Sequence, residues 1–172
     1  MRERKLHNLL YTFLKVQHYT KLIFTDLLKK YFSDHPTPQD YVEVNRLYPP
    51  AQIETIKEVE KNLAIKLPHD YIDFLLLTNG FGGKLGESYS VFTKIEEIEK
   101  YTLDYCGDFY PWAIYIGGDG GNEMYVIDKR PTKFNFGLLP YIGEENDFIN
   151  LGYTFEGFVR HLYYNDFWNI KK

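Results

Sequence analysis

Residues 53–83 read IETIKEVEKNLAIKLPHDYIDFLLLTNGFGG, and the places where this stretch starts and stops helices set the fold class. Ile53, Ile56, Val59 and Leu63 recur at i, i+3, i+6 and i+10, which is one apolar helical stripe. Glu54, Lys57, Glu58 and Lys61 lie mainly off that stripe. Their i,i+4 repulsions cancel their i,i+3 attractions, so burial of the stripe must hold the helix. Lys66-Leu67-Pro68 breaks it. Pro68 suits the first position of a second helix, where a missing N–H costs nothing. Asp70 in its first turn faces the positive end of the helix dipole. Tyr71, Phe74, Leu75 and Thr78 form one face of this second helix, widened by Ile72, Leu76 and Leu77, so it is buried on most sides. Asn79-Gly80 ends it, with Gly80 supplying a left-handed residue.

Outward from this unit the texture differs on each side. Upstream, residues 6–32 carry apolar residues at helical spacing, and Ser33–Asp40, with Pro36 and Pro38, reads as a linker. Residues 1–45 are therefore expected to be a basic helical extension with its linker, and residues 46–172 the main domain. Downstream, Ser88–Thr93 alternates like a strand, and Trp112–Ile116 and Glu123–Asp128 are strand-like runs joined by a glycine-rich hairpin loop, GGDGGN. That loop is expected to hold several positive-φ residues. Lys133–Ile142 forms a further strand with a break at Gly137. Phe155–Tyr164 is a closing helix capped by Tyr153 or Thr154. Helices, then antiparallel strands, then a helix make an α+β domain.

Charge divides the same way. Residues 1–30 hold seven Lys/Arg against Glu3 and Asp26, a net of +5, while residues 31–172 hold thirteen basic and 22 acidic residues, a net of −9. Such a body is a poor nucleic-acid binder, because phosphate neutralisation needs Lys and Arg. It suits a basic protein partner, though the same acidity also serves solubility. Aromatic residues reach 18%, with 16 Tyr, and Tyr serves both cores and binding surfaces. The single cysteine, Cys106, forms no intrachain disulfide and suits a reducing compartment. With no secretory leader or membrane span legible, a cytoplasmic location is expected.

Catalytic and ligand-binding motifs fail on inspection. From Gly118 the dinucleotide fingerprint requires Gly at position 123, where Glu123 stands, and the loop joins two strands in place of a strand and a helix. Gly-Lys-Ser/Thr is absent. Asp119, Glu123, Asp128, Glu144, Glu145 and Asp147 could offer oxygen ligands, but without EF-hand spacing. The histidines are scattered, and Ser33, Ser88 and Ser90 lie in no nucleophile elbow. Cys106 precedes Gly107-Asp108, acidic surroundings expected to raise a thiol pKa. Glu60 has no evident catalytic partner. No cofactor, metal or catalytic residue is expected. The binding residues expected are Asp119, Asn122 and Glu123 on the hairpin with Tyr110 and Tyr115 at its rim, and Glu144, Glu145 and Asp147 as a second acidic patch.

The block EKNLAIKLPHDYIDFLLLTNGFGG (residues 60–83) resembles the signature of the SUKH superfamily, which includes the yeast Smi/Knr-type cell-wall regulators. IGGDGGNEMYVID (116–128) is similar to that family's glycine-rich hairpin and following strand, and FEGFVRHL (155–162) to its closing helix. Ala64 stands where the family often has Gly. The resemblance spans roughly residues 50–165. It implies a twisted antiparallel sheet of about four to six strands with helices packed against it, and a non-enzymatic role. Bacterial members commonly act as immunity proteins that neutralise a cognate polymorphic toxin, often a nuclease; eukaryotic members act as signalling adaptors. The resemblance thus implies a protein partner, here a basic toxin domain, and as the alternative a regulatory scaffold of the Smi/Knr type.

Overall fold

The polar residues of the 53–83 stretch are consumed in tying helix ends together, as the computed structural model, which describes residues 26–27 and 42–164, makes plain. Helix α1, Ile53–Asn62, ends with Leu63 as its cap. Ala64 follows at φ +52. Ala64 N–H donates to Lys61 O at 3.2 Å and Ile65 N–H to Glu60 O at 2.9 Å, the paired bonds of a Schellman stop, with alanine in the left-handed position that glycine usually fills. Glu60 is buried because its carboxylate takes the Leu67 N–H at 2.8 Å and the Lys66 ammonium at 3.0 Å. The residue without a catalytic partner is the clamp of the turn.

Helix α2 spans His69–Leu77. Pro68 stands just outside it as the N-cap, one residue earlier than its expected first position. Asp70 receives the Tyr71 N–H at 3.0 Å and, across the fold, the Phe155 N–H at 2.5 Å. One carboxylate thereby satisfies orphan donors at the starts of two helices. Thr78 Oγ1 accepts from Tyr48 N at 3.3 Å and sits 2.8 Å from the Gly80 carbonyl. Asn79 is buried; its Oδ1 accepts the Ile95 N–H at 2.8 Å and its Nδ2 donates to both Glu96 oxygens. It thus ends one helix and caps α3, Ile95–Tyr101. Gly80 has φ +105, and a Cβ there would stand 2.7 Å from Phe92 O, so only glycine fits.

Among the described residues, seven strands follow one another in a single antiparallel meander, β1-β2-β3-β4-β5-β6-β7. They are β1 Val42–Leu47, β2 Phe81–Leu85, β3 Ser88–Phe92, β4 Ala113–Gly118, β5 Glu123–Asp128, β6 Asn135–Pro140 and β7 Ile149–Asn150. The α+β class expected from sequence holds, and the strand count exceeds the four to six expected. β1 alternates only over Val42–Asn45, in a stretch that reads as connector, while β2 is glycine-rich and β7 has two residues, so neither of these carries a legible alternation. β1 straddles residue 46, where the main domain was expected to begin, and pairs with β2 on both sides of a bulge at Asn45. Gly137 does not break β6: it lies mid-strand, opposite Val126 and Asn150. The helix expected over 6–32 lies outside the described residues, apart from Asp26 and Leu27, which are helical, with Leu27 against the core.

One face of the sheet carries α1, α2 and the closing helix α4, Phe155–Tyr164, capped by Thr154, whose Oγ1 accepts the Gly157 N–H. Phe92 is the centre of this core. Its ring lies 5.5 Å from Phe74, 5.2 Å from Phe155 and 5.6 Å from Tyr125. Part of the aromatic excess is thus core packing, each well-placed ring pair adding roughly 0.5–1.5 kcal/mol beyond burial.

Replacing Asn79 by Ala should lower unfolding free energy by about 2 kcal/mol, since a buried cap and its bonds vanish. Ala64→Gly should raise it by roughly 0.5–1 kcal/mol by relieving left-handed strain net of glycine's unfolded-state entropy. Urea titration checks both; an Asn79→Ala midpoint equal to wild type would refute the capping role.

Candidate functional site: the second face of the sheet

Ala113, Tyr115, Met124, Val126 and Leu139 point to the opposite face, where no long helix lies among the described residues. This face is covered by the crossover from α3 to β4. Helix α3 runs into a π-turn, Thr102–Cys106, that ends at Gly107, φ +27. A Cβ on Gly107 would stand 2.6 Å from Leu103 O, so the stop requires glycine. The wide turn buries Thr102 and Cys106 and leaves the three residues between them, Leu103, Asp104 and Tyr105, outside. Thr102 Oγ1 accepts the Tyr115 N–H at 3.1 Å, which fixes the crossover to β4. π-turns recur at functional positions.

The crossover is locked to the loop that follows β6. Tyr110 Oη donates to Gly143 O at 2.7 Å, Tyr115 Oη lies 3.3 Å from Tyr141 Oη, and the rings of Tyr105 and Tyr141 are 5.2 Å apart. Trp112 packs edge-on to Phe148 at 5.3 Å. Over its ring, 3.8 Å from the centroid, sits the Arg130 guanidinium, held by two bonds of 2.9 Å to the buried Asp128 and paired also with Glu145. A cation stacked on tryptophan and forked to a carboxylate is a rigid arrangement.

The residues expected to bind a partner fall into three groups here. Tyr110 and Tyr115 are buried, 5% and 7% exposed, and serve as supports beneath the surface. Asp119 Oδ1 accepts the Gly121 and Glu123 N–H groups at 2.7 and 3.1 Å, so it shapes the hairpin as well as charging it. Of the four glycines in the loop only Gly120 takes positive φ; Gly117 and Gly118 belong to β4. Asn122 is exposed, and its carbonyl accepts the Tyr141 N–H at 3.0 Å, which sets the hairpin beside the Tyr141 loop. Glu144 and Asp147 cap the short 3-10 turn Glu145–Asp147 reciprocally, and Glu145 is the partner of Arg130. The hairpin and the second acidic patch thus flank one face.

Sequence reasoning missed the apolar part of that face. Leu103, Tyr105, Phe109, Tyr141 and Ile142 are exposed. A signal existed: Leu-Asp-Tyr and Asp-Phe fit neither helical nor strand alternation, so some apolar residue had to face water.

Cys106 is buried, and burial pushes its thiol up to about 12. The cause is desolvation, in place of the acidic neighbours expected. Among the described residues, no group of three or more His, Cys, Asp or Glu is placed to hold a metal ion, and no helix is long and apolar enough to cross a membrane.

Taken together, the sheet and its helices define a small α+β domain with a carboxylate-rimmed second face. A family model described as the SMI1 / KNR4 family (SUKH-1) matches residues 50–162, and the chain belongs to that family. The uncharacterized protein YnaB of Bacillus subtilis (strain 168) is 32% identical over 112 residues, covering 62% of this chain and 72% of that protein.

Alkaline pH should expose the cost of this packing. Burial raises Cys106 from 9.0 and raises Tyr71, Tyr115 and Tyr125 from 10.0. These acids stay neutral in the fold but ionise in the unfolded chain. Stability should therefore hold below pH ~9 and fall as pH rises beyond it, by roughly 1.4 kcal/mol per unit for each such group. Denaturant melts at stepped pH check this, and Cys106→Ala should give a shallower decline between pH 9 and 10. A thiol reagent at pH 8 should leave native Cys106 unmodified.

Proposed function

We propose that this chain is an immunity-type binding protein that captures and neutralises a basic toxin domain, such as a nuclease, in the cytoplasm. The observation that carries the reading is the acidic second face. The crossover, the hairpin and the loop after β6 that make this face carry Asp104, Asp108, Asp119, Glu123, Glu144, Glu145 and Asp147 and no Lys or Arg of their own, while Lys100 is paired with Asp104 and Arg130 with Asp128 and Glu145. Complementary potential raises the association rate with a basic partner and repels acidic competitors. The hairpin residues Asp119, Asn122 and Glu123 and the patch Glu144, Glu145 and Asp147 supply the electrostatic border, and Tyr110 and Tyr115 stiffen it from below.

Binding in place of catalysis is supported by the use of the polar groups. Glu60, Asp70, Thr78 and Asn79 are spent on backbone donors and carbonyls. Asp128 is spent on Arg130.

Co-expression with a cognate basic toxin domain should rescue the host, and the two proteins should co-purify. Asp108→Lys, at an exposed position, should slow association by about tenfold at low salt without moving the melting temperature. Asp119→Lys should slow association too, while also lowering stability by about 1 kcal/mol through the lost hairpin bonds. Absence of both rescue and co-purification would remove the immunity reading.

A further inference from the structure

Five exposed apolar side chains on the second face are gathered by contacts beneath them. Phe109 is 85% exposed, Ile142 96% and Leu103 64%. Single exposed apolar residues are ordinary on a soluble protein; a contiguous group with a polar rim marks an interaction site. Contiguity comes from Tyr105 stacked edge-on to Tyr141 and from the Tyr110 hydroxyl bonded to Gly143, which hold the crossover and the β6–β7 loop side by side. The loop is also braced from behind by Tyr115, by Trp112 against Phe148 and by Arg130 through Glu145. A surface fixed in this way binds without a large ordering cost.

We propose that Leu103, Tyr105, Phe109, Tyr141 and Ile142 form the docking centre of this protein, and that the occupant is a basic segment of another protein. That segment lays apolar side chains on the five residues and Lys or Arg on their border. The inference rests on the reading of the chain as a binding domain and names its surface. Its chemistry follows from the border. Asp108, Asp119, Glu144 and Asp147 flank the patch, and neither 101–128 nor 134–159 contains a Lys or Arg. A second copy of the same face would set carboxylates against carboxylates, and an anionic lipid or nucleic-acid surface would be repelled for the same reason. A basic, partly apolar protein segment is what remains favourable, with the aromatic and aliphatic centre as its anchor.

Two experiments test this on the full chain. An amphipathic Leu/Lys peptide, titrated into labelled protein by NMR, should shift resonances of residues 103–109 and 141–147, weakly and with strong salt dependence, whereas a Leu/Glu peptide should not. Phe109→Ser with Ile142→Ser, both at exposed positions, should weaken the Leu/Lys peptide by roughly tenfold or more with an unchanged melting curve. Shifts centred elsewhere, equal response to both peptides, no binding, or unaltered affinity of the double variant would overturn the proposal. A dimer in sedimentation that the double variant dissolves would assign the patch to a second copy and overturn it as well. Toxin co-expression separates the two readings. Protection by wild type that survives in the double variant removes this surface and keeps the function; peptide binding at the patch without protection keeps the surface and removes the toxin.

Discussion

Strands β4, β5 and β6 are buried on both faces, with Ile114, Tyr125 and Phe136 on one and Tyr115, Val126 and Leu139 on the other. A sheet of that kind requires two covers, because apolar side chains left on either face would stay in water. The rest of the molecule answers this requirement. One cover is made of α1, α2 and α4, whose apolar faces meet at Phe92. The other is the stretch from Thr102 to Trp112 with the loop after β6, neither of which has a long helical stripe to bury.

The two covers are built by different physics, which separates scaffold from surface. On the helical side, apolar area does the work and polar side chains only close helix ends: Glu60 at the Leu67 turn, Asp70 at Phe155, Asn79 at Ile95. On the other side, hydrogen bonds and ring contacts hold a cover too thin to bury its own apolar residues. Tyr110 to Gly143, Thr102 to Tyr115 and Arg130 over Trp112 fix it in place. Phe109 and Ile142 remain exposed as a consequence. Residues exposed on a rigid support are the ones available to a partner.

The elements legible in the sequence were those with a strong period or a clear punctuation mark. Helix α1 begins at Ile53 and α4 spans Phe155–Tyr164, as their stripes indicate. β3 follows its alternation, β5 fills the strand-like run Glu123–Asp128, and the turn of GGDGGN joins β4 to β5. β1 and β2 escaped because VEVNRL is interrupted by a bulge near Asn45 and FGGKL by two glycines. β7 is too short to carry a period. The π-turn was hidden because its residues look like the frayed end of α3. Among the site residues, the acidic border was legible from charge alone. Tyr110 and Tyr115 could not be placed above or below the surface, since strand alternation gives two faces and does not say how each is covered.

The sequence by itself determined the helix starts and stops, the α+β class and the sign of the charge, because each depends on residues close together along the chain. The 53–83 stretch, with its stripe, its proline and its Asn-Gly, belongs to that class. Only the tertiary structure decided which face of the sheet is left with a thin cover. Only it joined Asp70 to Phe155 and brought Tyr105 to Tyr141, pairs 85 and 36 residues apart. Burial and proximity across such separations arise from packing the whole chain at once, and no local pattern encodes them.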